Sequence, residues 1–486
     1  MEHLRISARW QLRWEYSRGD RDVSQGSQDR ERQRVPQPLL KRRLISGRGA
    51  MEQPNATHDG AAALSPRFWM ALLATSVLTG LFGISLMWIL NHVELWAFHY
   101  HSGDYTQAVA ATSRLRRLIS LVVAGFIGGG SWYVIRRMWK SEKSEIDDAV
   151  WHGDARLGVR RSVATSVVSE VVIGMGASIG REAAPKLMGG LAGSVIAQWM
   201  KLSLAQRRLL VACGGGAGLA CVYNVPLGGA LFTAEVFYGS LSLPTVLPAL
   251  ASSLIATWVG WLYLPTGATY ADIPVYRCTA SLEVWSLVAG AVIGLLGVFY
   301  VRLIGLAAHY RIKGIHLFWA MPLAFGVLGV IGFWYPELFG NGKDMAHTAF
   351  IGAAGLGLMG ILFVLKPLVT ALTLSSGSAG GVFTPMIATG AVFGAFAGGL
   401  WNHWWPGTPI GAFALVGAAA MISSTMQAPL AGFVLVLELT HSGFNLAIPM
   451  GLAIVVATLI VRQVDGYSIY SARLPRVALD PEGTVS

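Results

Sequence analysis

Asn224-Val225-Pro226-Leu227-Gly228-Gly229 and Gln427-Ala428-Pro429-Leu430-Ala431-Gly432 read as two copies of one segment, 203 positions apart. Each follows a run of small residues. Each leads into an apolar stretch ending on a carboxylate, Glu235 or Glu438, nine positions after its proline. Upstream, Gly180 to Pro185 and Gly380 to Pro385 are related by 200 positions, so one short insertion reconciles both pairs. Apolar helices interrupted at matching places in two halves are the mark of a transporter whose substrate site lies near the bilayer midplane, between halves of opposite orientation. Parallel halves would satisfy the same spacing.

The composition requires a bilayer. Hydrophobic residues make up 53% of the 486 and charged residues 13%, a balance that would leave a soluble domain with greasy surface. Phe68 to Leu90, Leu118 to Ile135, Trp285 to Tyr300 and Phe318 to Trp334 approach or exceed the roughly 20 residues that cross a hydrocarbon core. Leu187 to Met200, Leu209 to Tyr223 and Gly411 to Ile422 are shorter and broken by Gly or polar residues, and read as helices that stop inside the membrane. The 58 glycines suit close helix packing in lipid, and the 17 tryptophans read as interfacial and packing residues. Cys213, Cys221 and Cys278 have neither disulfide-framework nor metal-ligand spacing. His92, His99 and His101, with Glu94 nearby, read as interfacial polar residues rather than a zinc site.

Much of the net charge of +11 lies in the first 48 residues. That stretch lacks both the apolar core of a secretory signal and the content to fold alone, so 1–66 is read as a basic disordered extension, with Met51 an alternative start. It is not read as a nucleic-acid binder. The membrane domain is placed at 67–474, with repeats of about 67–265 and 283–474, and 475–486 is a short tail. Basic residues flank both ends of the second span; the extension together with Arg136, Arg137 and Lys140 favours a cytoplasmic N-terminus.

Gly180-Arg181-Glu182-Ala183-Ala184-Pro185 puts two opposite charges directly ahead of an apolar helix. A central ionisable residue costs roughly 2.5 to 3.5 kcal/mol even on lenient insertion scales, so such residues generally face a cavity and serve function. Free N–H groups at that helix start form a candidate anion site. Ser375 to Pro385 supplies the same device without a charge, through the N–H groups of Val382 and Phe383. Partial charges hold an ion loosely, which conduction favours over a full Arg or Lys. Bland alternatives stand beside these readings: Glu182 as the partner of Arg181 in an ion pair, Glu235 and Glu438 as helix braces at a rim, Lys366 snorkelling to an interface, and Tyr470 as a belt aromatic.

The motif pair resembles the CLC family of chloride channels and proton/chloride exchangers: Gly180 to Pro185 is similar to its GREGP, and Gly381-Val382-Phe383-Thr384-Pro385 to its GxFxP. The resemblance runs from about Phe68 to Leu474 and includes Ile469-Tyr470-Ser471-Ala472, which is similar to the family's tyrosine segment. It implies an all-α polytopic membrane protein of two inverted-topology repeats with broken helices, multi-pass in a bacterial-type inner membrane and without the CBS pair of many eukaryotic members. It further implies a homodimer with one pathway per subunit. Glu182 would be the gate, with Tyr470, Ser141 and the N–H groups of Ala183, Val382 and Phe383 binding chloride.

Two departures carry weight. The family's GSGIP segment reads here Lys140-Ser141-Glu142-Lys143-Ser144, where Ser141 is the counterpart and Ser144 a weaker one. Proton-coupled members usually carry an inner glutamate where this chain has Val236, which cannot relay a proton. The resemblance therefore favours a passive chloride channel, with voltage gating in view, over a proton-coupled antiporter, which is the alternative. No cofactor or metal is implied, chloride being the transported ion. An intramembrane enzyme is disfavoured because no nucleophile and base stand at recognised spacing, and a membrane scaffold would not need charge-bearing broken helices.

Overall fold

The computed structural model describes residues 64–474 except 143, 144 and 152. Nearly all of the basic extension, the 475–486 tail and Ser144 thus lie outside the described residues. Among the described residues, eight helices of the first half have counterparts in the second: α1 Pro66–Phe98, α2 Arg114–Met138, α3 Ile146–Trp151, α4 Val159–Gly174, α5 Ala183–Trp199, α6 Leu204–Tyr223, α7 Pro226–Phe232 and α8 Leu243–Gly260. Eight follow in the same order in the second: α9 Ala280–His309, α10 Leu317–Ile331, α11 Lys343–Phe350, α12 Leu356–Ser375, α13 Phe383–Trp401, α14 Ile410–Met426, α15 Pro429–Thr440 and α16 Ala447–Val464. A short helix, Tyr105–Ala111, interrupts the first connection.

The spans read from the sequence correspond to α1, α2, α9 and α10, although α10 stops at Ile331, short of Trp334. In all, eight helical stretches among the described residues are long and apolar enough to cross a membrane. The interrupted stretches form the centre instead: α6 is buried from Leu209 to Tyr223 and α14 from Gly411 to Met426.

Two tight helix pairs, α5 with α6 and α13 with α14, build that centre. A Cβ on Gly189 would run into the Gly214 carbonyl, and one on Gly214 into that of Gly189; Gly390 and Gly417 stand in the same mutual relation in the second half. Small residues here let backbones touch, which is how helices associate where lipid competes for apolar surface.

The matched carboxylates explain their own spacing. Glu438 accepts the Leu227 and Gly228 N–H groups at 3.0 and 2.6 Å, at the start of α7. Glu235 accepts those of Leu430 and Ala431 at 3.3 and 2.6 Å, at the start of α15. Each half therefore caps the other's broken helix, anion on positive helix end. An exchange of this kind follows from a two-fold relation between the halves. The equivalent loops ahead of α5 and α13 also meet antiparallel, as inverted repeats require.

Candidate functional site

Where those loops meet, the Gly180 N–H donates to the Gly381 carbonyl at 2.8 Å and the Gly381 N–H donates to the Gly180 carbonyl at 2.9 Å. The bridge brings the N-termini of α5 and α13 to one point, so their free N–H groups and positive dipole ends converge on it. Glu182, the residue before α5, is fully buried there. Its Oε1 accepts the Phe383 N–H at 2.8 Å, across 201 positions of sequence. Among the described residues its Oε2 has no hydrogen-bond partner. A Cβ on either Gly180 or Gly381 would occupy the space of this carboxylate, which is why both positions are glycine. The protein thus seats its own anion where a helix N-terminus would hold a free one.

Cavities open on the two sides of this plug. One is lined by Ala183, Val382 and Tyr470 and carries Arg136, Arg161, Lys186, Arg311 and Arg473 against Glu145 and Asp147. The other is lined by Glu94, Glu337 and Asp344 with Arg181 and Lys343. Arg136 and Arg137 end α2, while Glu94 lies near the end of α1. With the cytoplasmic N-terminus that the sequence favours, the cavity at the end of α2 is the inner one and the cavity at the end of α1 the outer one.

The sequence profile described as Voltage gated chloride channel matches residues 124–462. The chain belongs to that family, the CLC proteins. A ClcB-like protein of Ralstonia nicotianae is 30% identical over 76% of this chain and 89% of its own length. The voltage-gated ClC-type chloride channel ClcB of Salmonella typhimurium is 28% identical over 76% of this chain and 89% of its own. A slow cyanobacterial Cl-/H+ antiporter superposes with a TM-score of 0.73 at 22% identity, covering 84% of this chain and 97% of that one. A CLC-type fluoride/proton antiporter superposes with a TM-score of 0.68 at 20% identity, over the same shares. These two likenesses establish the fold. The chain is a multi-pass protein of the bacterial inner membrane, and its activity class is CLC-type chloride transport.

Of the residues expected to bind the ion, Ala183, Val382 and Tyr470 line the inner cavity of this CLC protein, and Phe383 gives its N–H to the gate. Tyr470 is buried, with its hydroxyl 3.8 Å from the Met426 sulfur. Ser141 does not join them. It is exposed in the turn after α2 and lies outside the cavity lining. The physical reason is its neighbour: the Glu142 carboxylate accepts the Arg161 N–H at 2.9 Å and the Arg161 guanidinium donates to the Glu142 carbonyl at 2.8 Å. Those bonds pin the segment to the start of α4.

Arg181 and Glu182 are not an ion pair. Arg181 stacks over Tyr223, 5.2 Å from the ring centroid, and lines the outer cavity. Lys366 does not snorkel: fully buried, its ammonium donates to Ser178 Oγ at 2.8 Å and to the Gly340 carbonyl at 3.0 Å, tying α12 to the gate loop. Val236 is buried in a π-helical turn, Thr233–Tyr238, that continues α7. His92 stacks on Trp88 and bonds to the Trp88 carbonyl.

Two residues escaped the sequence reading. Lys186 lies one turn after Glu182 in the cavity lining, and its charge inside a membrane helix was the available signal. Glu170 on α4 is fully buried, and among the described residues neither oxygen has a hydrogen-bond partner. It sits between Ser169, which lines the inner cavity, and Ile173, which lines the outer one.

Proposed function

We propose that this CLC-type chloride transport protein is a passive chloride channel gated by Glu182, working as a homodimer with one pathway per subunit. The observation that carries the reading is the Glu182 carboxylate on the Phe383 N–H, at the meeting point of two helix N-termini. Chloride from either cavity competes for the same donors, and the path conducts when protonation or displacement moves the carboxylate aside. Because that displacement moves charge through part of the transmembrane field, opening acquires voltage dependence. Val236, an aliphatic residue in the inner-glutamate position, supports passive conduction, as do the relatives called channels.

Proton-coupled antiport is the second reading, and Glu170 favours it. A buried carboxyl without a hydrogen-bond partner among the described residues, lying between two cavities and within electrostatic reach of Arg181, Glu94 and Glu182, supports this reading as a proton relay. The test records chloride efflux and proton movement together from liposomes carrying wild type, Glu182→Ala and Glu170→Gln. Chloride flux without proton uptake, raised in Glu182→Ala, supports the channel. Stoichiometric proton uptake lost in both variants establishes the antiporter and makes Glu170 the relay. No anion flux from folded wild type removes both.

A further inference from the structure

We propose that the Lys186 ammonium adds a full positive charge to the site for small monovalent anions just inside the gate, in the cavity that Tyr470 also lines; the anion's identity as chloride rests on the function proposed above. Lys186 stands four positions after Glu182, and its N–H donates to the Glu182 carbonyl, so the two side chains share one face of α5 a turn apart. Lys186 therefore stands a turn inward of the gate, in the lining of the inner cavity.

The side chain is held in place and its donors are free. Only 8% of Lys186 is exposed, and it lines the inner cavity. Its ammonium lies 5.2 Å from the ring centroids of both Phe232 and Tyr470. Those rings stand edge to face, 5.7 Å apart, and fix the position of the ammonium. Ring faces satisfy the charge in part, but an ammonium carries three donors, and among the described residues none of them has a hydrogen-bond acceptor or an ion-pair partner. The charges acting on it are Glu182 and Asp147, which attract, and Arg473, which repels. Glu182 is turned to Phe383, and Asp147 Oδ1 is buried without a partner, so neither neutralises Lys186 by contact.

A nine-tenths buried ammonium without a hydrogen-bond acceptor, in a cavity lining at a helix start and beside the Tyr470 ring, is a ligand for an anion. It supplies the second ligand that Ser141 does not. The site holds its ion by full charge rather than by partial charges, and so retains it longer.

The test is chloride titration calorimetry on the full-length protein in detergent, with liposome flux measured on the same samples. Lys186→Met is expected to weaken chloride binding by about 10-fold or more, Lys186→Arg to keep it within about 3-fold, and Asp147→Asn, which removes the facing negative charge, to tighten it. Size-exclusion profile and helical circular dichroism confirm folding, and Lys186→Gln serves if Lys186→Met does not assemble. Wild-type affinity in the folded neutral variant overturns the proposal while leaving chloride transport standing. Absence of both binding and flux in wild type overturns the two together.

Discussion

Glu182 and the two glycines beneath it show how much one carboxylate position depends on what is missing around it. The bond from the Phe383 N–H is charge-assisted, and bonds to charged groups contribute about 1.5 to 3 kcal/mol each. Nothing else in the described residues bonds to this carboxylate. Gly381→Ala places a methyl where Oε1 sits, so docking of the gate becomes sterically impossible without any change in its chemistry. Chloride flux of Gly381→Ala is expected to match that of Glu182→Ala, and the double variant to be no faster than either. A variant that stays as closed as wild type would mean that the carboxylate does not plug the path. The sequence made Glu182 legible through its charge in an apolar setting. It did not make Lys186 legible in the same way, because a lysine in a helix can snorkel or pair, and only its two aromatic neighbours show that it does neither.

Broken helices raise a question that single residues do not: what satisfies their ends inside a membrane. For α7 and α15 the answer is a carboxylate from the opposite half, two N–H groups to each. Capping losses cost about 0.5 to 2 kcal/mol, and a charge at a helix N-terminus adds to that in partly buried settings. Glu438→Ala and Glu235→Ala should therefore each lower thermal stability in detergent by an amount in the range of about 1 to 3 kcal/mol. Chloride flux per folded protein should be unchanged in both. Loss of proton movement in Glu235→Ala alone would show that the symmetric caps are not functionally equivalent. That Glu235 and Glu438 brace helices was one of two readings open in the sequence. The spacing of nine revealed the repeat, while the partner of each carboxylate lay about two hundred positions away and carried no local signal.

Over the whole molecule, the pseudo-symmetric halves leave an asymmetric charge distribution. The inner cavity gathers five basic side chains against two acidic ones, whereas the outer cavity sets Arg181 and Lys343 against Glu94, Glu337 and Asp344. A cavity of one sign raises the local concentration of counter-ions and their rate of entry. Arg311 is a suitable probe, since its side chain is 37% exposed and pairs with Glu145 at 3.6 Å. In Arg311→Gln, chloride entry from the inner side is expected to fall about two- to threefold at low ionic strength and to recover near 1 M salt, where the screening length is about 3 Å. Equal loss at all salt concentrations would indicate a structural role instead.

The sequence alone determined that the chain crosses a bilayer, that it is built from two related halves, where their helices break, and which buried carboxylate stands at the break. These are properties of local composition and of spacing along one chain, and the cost of placing charge and Gly or Pro in lipid writes them into the residue order. Tertiary structure decided which donor meets which acceptor. Glu182 meets Phe383, Lys186 meets Tyr470 and Lys366 meets Ser178, each across roughly two hundred residues or more. It also withdrew Ser141 from the cavity by bonding its neighbour Glu142 to Arg161. Such meetings depend on how closely glycine-lined helices approach and on which way the connecting loops are tied. Those quantities are summed over the whole packed molecule, and no window of sequence contains them.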